Sequence, residues 1–143
     1  MATTPGAYFE QSTKWAAANY LTSWPTGFGI KELVAMLEKE PGPGVIFADP
    51  QWGNPRTALQ VYARRFPKLR VVPVTAEFTD AAKRRELRDI ARRMGPTRLL
   101  IFSAGAASAR GEMWTRDAER EMCDTRTEIK AWPRQMPIVV CRF

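Results

Sequence analysis

Six residues in two short segments have the types and spacing that could do chemistry. Trp24, Gly27 and Gly29 lie in Trp24-Pro25-Thr26-Gly27-Phe28-Gly29, directly before an apolar-periodic run. Asp49, Trp52 and Gly53 lie in Asp49-Pro50-Gln51-Trp52-Gly53, directly after the apolar run 45–48. The two indoles offer flat faces on which sugar or base rings stack. The glycines let a ligand come close to the backbone, and Asp49 can accept hydrogen bonds from hydroxyls. Asn54 and Pro55 follow as N-cap and first residue of a helix, whose N-terminus favours anions. In open α/β sheets ligands bind at the carboxyl ends of strands, which is where this second loop leaves.

The elements that must position these residues follow from periodicity. Ile30, Leu33, Val34 and Leu37 recur at i, i+3, i+4 and i+7 and predict a helix over 30–40, ended by Pro41-Gly42-Pro43-Gly44. Residues 45–49 read as a central strand. Residues 55–66 read as its helix, with Leu59, Tyr62, Ala63 and Phe66 inward. Residues 69–75 read as a second strand, at an edge or bulged because Pro73 cannot donate to a ladder. Thr79 and Asp80 cap a helix through Met94, with Leu87, Ile90, Ala91 and Met94 inward and Lys83, Arg84, Arg85, Arg88, Arg92 and Arg93 on its other faces. Residues 98–102 form a third strand, 112–123 a further helix, and 127–132 with 138–143 a closing hairpin. Residues 1–7 read as a loose leader and 8–20 as a helix carrying Tyr8, Phe9 and Trp15.

Strands alternating with helices predict an α/β fold, a three-layer Rossmann-like sandwich with a mostly parallel sheet and a C-terminal antiparallel hairpin. At 143 residues the chain is expected to be a single domain with a proper core.

Composition excludes whole classes of chemistry. The chain has no His, which removes His-based triads and His metal ligands. Cys123 and Cys141, the two cysteines, are too few for a zinc site, so no metal is expected. One disulfide between them and two small buried apolar residues both fit, which leaves the redox compartment open. No segment has the 18 apolar residues of a membrane span and the start lacks the apolar core of a signal peptide, so a soluble chain is expected. The net charge of +7 fits a basic solvated face or an anionic neighbour. Its cations are spread over helices without interleaved aromatics, so no nucleic-acid partner is expected.

Asp49-Pro50-Gln51-Trp52 also resembles the Asp-Pro-Pro-Trp loop of amino-group methyltransferases, with Gln51 in place of the second Pro. That resemblance implies a small soluble α/β enzyme binding a nucleotide or S-adenosylmethionine, although residues 103–107 lack the Gly-x-Gly pattern of a cofactor loop.

A broader resemblance covers residues 8–143. The segment 20–32, with Trp24-Pro25-Thr26-Gly27-Phe28-Gly29 entering a helix, the segment Asp49-Pro50-Gln51-Trp52-Gly53-Asn54-Pro55 and the Pro-containing hairpin resemble the soluble C-terminal domain of bacterial polytopic membrane glycosyltransferases. These are the enzymes related to protein mannosyltransferases and aminoarabinose transferases. Phe28 stands where that group has Tyr. The resemblance implies an extracytoplasmic accessory domain that positions a polyprenyl-phosphate sugar donor, or the acceptor glycan or protein, beside the inner membrane. It implies no catalytic residue and no cofactor in this chain, since the transfer belongs to the membrane part. An anionic membrane surface would suit the positive charge.

Overall fold

The computed structural model describes residues 29–48, 56–74, 80–104, 116–131, 133 and 137–143. The expected leader and the helix over 8–20 lie outside these residues. Among the described residues four α-helices and five strands appear in the expected order: α1 (Ile30–Leu37), β1 (Gly44–Ala48), α2 (Arg56–Tyr62) continued by a 3-10 turn (Ala63–Arg65), β2 (Leu69–Pro73), α3 (Ala81–Met94), β3 (Thr97–Ser103), α4 (Arg116–Glu121), β4 (Thr125–Ile129) and β5 (Ile138–Arg142).

The five strands form one sheet in the order β2-β1-β3-β5-β4. β1 pairs in parallel with β2 and with β3. β5 pairs antiparallel with β3 on one side and with β4 on the other. The expected three-layer Rossmann-like sandwich with a mostly parallel sheet is therefore overturned: the sheet is small and mixed, with as many antiparallel pairings as parallel ones. The cause is the hairpin. Its second strand, Ile138-Val139-Val140-Cys141, is apolar on both faces and fully buried, so it takes the inner position beside β3. Thr125-Arg126-Thr127-Glu128 is polar on both faces and is left at the edge.

The sheet separates two cores by the period-2 alternation of its strands. Ile46 and Ala48, Leu99 and Ile101, and Ile138 and Val140 face one way, against Leu33, Val34, Leu37, Leu59 and Phe66. Val45 and Phe47, Leu100 and Phe102, and Val139 and Cys141 face the other way, against Ala91, Met122 and Phe143. Each fully buried aliphatic or aromatic side chain contributes about 1.5–3 kcal/mol, so the three inner strands β1, β3 and β5 dominate the stability. Phe47 stacks on Phe143 at 6.0 Å between centroids, and the Arg88 guanidinium lies 5.6 Å from the Phe143 ring on that side.

α1 buries the four residues its periodicity singled out, Ile30, Leu33, Val34 and Leu37. In α2 only Leu59 is buried, and Tyr62 is 41% exposed, contrary to the inward position expected for it. The chain tightens to a 3-10 turn at Ala63, which changes the residues per turn and carries Phe66 rather than Tyr62 into the core. β2 is at the sheet edge with Pro73 as its last residue.

Asp80 is the N-cap of α3, its Oδ1 accepting from Ala82 N–H at 2.6 Å and Lys83 N–H at 3.2 Å. The bonds from Lys83 and Ala82 hold its carboxyl below the usual value of 3.8. A depressed folded value adds stability that is present above the unfolded value and is lost as pH falls through the folded one. Melting temperature is thus expected to decline as pH drops below about 4. Asp80→Asn keeps the cap and should flatten that decline, whereas Asp80→Ala should melt a few degrees lower even at neutral pH. Thermal melts from pH 7 to pH 2 check both.

Candidate functional site

The carboxyl ends of β1 and β3 are adjacent, since Ala48 pairs with Ile101 two residues before Ser103. From β1 the chain continues to α2, which packs Leu59 into the first core. From β3 it continues to α4, which leads to Met122 in the second core. Where connections leave neighbouring parallel strands toward opposite faces is the place at which open α/β sheets hold ligands. Ser103, the last residue of β3, is buried at 2% exposure. Ala104 N–H donates to Pro137 O at 3.0 Å and fastens that end of β3 to the start of β5.

Of the expected site residues, Gly29 is placed. It is the N-cap of α1 in the left-handed region, φ 88°, and its carbonyl accepts from Leu33 N–H at 2.9 Å. A side chain there would be strained, so Gly29 has a conformational role whether or not a ligand approaches it. Trp24, Gly27, Asp49, Trp52 and Gly53 lie outside the described residues. Their chain positions are nevertheless bracketed: 24 and 27 shortly precede α1, and 49–53 join the carboxyl end of β1 to α2. α1 enters β1 through a six-residue turn and packs on the sheet, so it runs back along β1 and its Gly29 end lies toward the strand's carboxyl end.

Sequence reasoning missed Arg56, the first residue of α2. Its Nε is buried and has no hydrogen-bond partner among the described residues. A guanidinium whose Nε lacks a partner, directly after the 49–55 segment in the chain, is suited to a phosphate or carboxylate. Its place directly after Pro55 was the available signal. Arg84 was also misassigned to a solvated face. It is 6% exposed and bonds Glu121 at 2.6 Å. Arg84, Leu87 and Ala91 share one stripe at i, i+3 and i+7, which could have revealed it. The bond from Arg84 holds the Glu121 carboxyl below its usual value.

The basic helix is largely neutralised within the fold. Lys83 pairs with Glu86, Arg84 with Glu121, Arg88 with Asp124 and Arg92 with Asp89. Arg85 and Arg93 have no ion pair among the described residues and are the cations of α3 left for an anionic surface. Among the described residues, one hollow of about 230 Å³ lies beside Glu119, Arg120, Cys123 and Arg126, and another of about 130 Å³ lies between Glu38, Arg65 and Lys68.

Cys123 and Cys141 form a disulfide, Cα–Cα 4.7 Å, which decides between the two readings left open by the sequence. Together with Glu119 their sulfurs would make a cluster within 4.8 Å. Sulfurs bonded to each other are not thiolates, so the cluster does not have the donors of a zinc site. Among the described residues no helix is long and apolar enough to cross a membrane. Compared with family models, with curated proteins and with solved structures, the chain matches none.

Proposed function

We propose that this chain is an extracytoplasmic accessory domain of a membrane glycosyltransferase that uses a lipid-linked sugar, positioning donor or acceptor without catalysing the transfer itself. The observation that carries the reading is the placement of the two resembling segments. One immediately precedes α1 in the chain and the other follows the carboxyl end of β1, the end of a strand at which open α/β sheets hold ligands. Trp24 and Trp52 would stack on the sugar, Asp49 would accept from its hydroxyls, and Gly27, Gly29 and Gly53 would admit it to the backbone. Arg56 adds a cation suited to the polyprenyl phosphate. The disulfide supports an oxidising compartment, as outside the inner membrane. Arg85 and Arg93 are the cations of α3 available to anionic headgroups.

The test is an NMR titration of the five Trp indole N–H signals with a short-chain polyprenyl-phosphate sugar, with S-adenosylmethionine and with ATP. The lipid-phosphate sugar alone should shift a few indoles, and Trp24→Phe or Trp52→Phe should remove those shifts. Asp49→Ala should weaken binding about tenfold at unchanged melting temperature, the loss of one charge-assisted hydrogen bond. Shifts with S-adenosylmethionine or ATP instead would replace this reading by that of a small nucleotide- or S-adenosylmethionine-binding enzyme. Silence with all three would remove the ligand role.

A further inference from the structure

The two edges of the sheet are unlike. β2 ends in Pro73, which lacks the N–H needed to extend a ladder. β4 has no proline, and Thr125, Arg126, Thr127 and Glu128 are exposed. Its one strand partner is β5, and among the described residues nothing bonds to its outer edge. Edges in this condition pair with another strand unless their side chains prevent it.

The side chains of β4 select a partner. In an antiparallel pairing of β4 with itself, a two-fold axis through Thr127 sets Arg126 opposite Glu128 of the second copy and Glu128 opposite its Arg126. Thr127 faces Thr127, and Thr125 faces Ile129. All five residues pair, and both charged pairs are opposite in sign. Moving the axis to residue 126 or to residue 128 brings two arginines or two glutamates face to face, which is unfavourable. We propose that β4 is a self-association edge, joining two copies of this chain through a two-fold axis at Thr127 into a continuous ten-stranded sheet. Within one copy, Arg126 bonds Glu128 at 2.5 Å and Glu119 at 2.7 Å, so its guanidinium is already turned toward the carboxylates of this strand and of α4. The bond from Arg126 keeps the Glu128 carboxyl ionised below its usual value, so the charge pattern persists through mildly acidic pH. A five-residue edge is a small interface, and the association is correspondingly weak.

Sedimentation velocity from about 1 μM to about 1 mM tests it, since edge pairing of this size falls in that affinity range. The wild-type chain should pass from monomer to dimer. Arg126→Glu makes both positions acidic and Glu128→Arg makes both basic, so each variant alone should dimerise at least tenfold more weakly. An equimolar mixture of the two should restore dimers, because each acidic position then meets a basic one. The double variant R126E/E128R should dimerise like wild type. Circular dichroism and melting of each variant confirm that the exposed substitutions leave the fold intact. A wild-type chain monomeric throughout would overturn the proposal. So would variants that dimerise undiminished, or a mixture no better than its components.

Discussion

Gly95→Ala and Gly44→Ala are each expected to lower the melting temperature by roughly 10 °C or more, or to leave the chain unable to fold. Gly95 ends α3 with φ 144° and ψ −177°, a region open in practice to glycine alone. A Cβ there would stand 2.2 Å from Pro43 O. Gly44 opens β1 opposite Thr97 of β3, and a Cβ on it would stand 1.8 Å from Thr97 O. Both obstacles are backbone atoms, so no rotamer change relieves them. The same place is held by Thr97 N–H donating to Pro43 O at 3.3 Å and Gly44 N–H donating to Lys68 O at 3.1 Å. Relief therefore means separating the starts of β1 and β3, two of the strands buried on both faces. At Gly95 backbone strain alone costs about 1–3 kcal/mol, and at both positions loss of pairing at the centre of the sheet weighs against a total stability of about 5–15 kcal/mol. Thermal and urea unfolding of the two variants check this. A shift under about 1 kcal/mol in either would mean that the two strand starts can part without unfolding the sheet.

What the sequence made legible was local. α1 could be read because Ile30, Leu33, Val34 and Leu37 carry both the periodicity and the burial. Asp80 and Gly95 punctuate α3 by side-chain and backbone chemistry that needs no distant partner. The place of Pro73 on an edge strand followed from its missing N–H. Strand adjacency was not legible in the same way, because it depends on contacts between residues far apart in the chain. β5 comes last in sequence and yet lies between β3 and β4. Its alternation of Ile138 and Val140 with Val139 and Cys141 serves two cores, and that was the sign of an inner strand. The fold class was misread because the hairpin was treated as an appendage when it supplies two of the five strands. The disulfide depended on the same long-range fact: Cys141 reaches Cys123 only after β5 has docked beside β3. At the site, the sequence named six residues by type, and Gly29 alone among them is placed, in a conformation that explains its identity without a ligand.

Replacing both cysteines, as Cys123→Ala with Cys141→Ala, is expected to remove about 3 kcal/mol of stability, a melting shift of roughly 10 °C. The bond closes a loop across a sequence separation of 18 residues, which contains β4 and the turn into β5. Most of its effect lies in the unfolded chain, whose ensemble it restricts. In the folded chain Cys141 is fully buried in the second core beside Val139 and Phe143, so the alanine pair also loses some packing there. Reducing the wild-type chain separates the two contributions: the thiols keep nearly all the volume, and the reduced protein should sit between the oxidised protein and the alanine pair. Urea unfolding of the three forms checks the order. Equal midpoints for the oxidised and reduced chains would mean that the β4–β5 ladder already confines the loop. They would also withdraw the argument from the disulfide to an oxidising compartment, since a bond that stabilises nothing gives no reason for the chain to reside where it forms. A large loss on reduction would instead mean that the chain needs oxidation to hold β5 between β3 and β4, the arrangement that completes both cores.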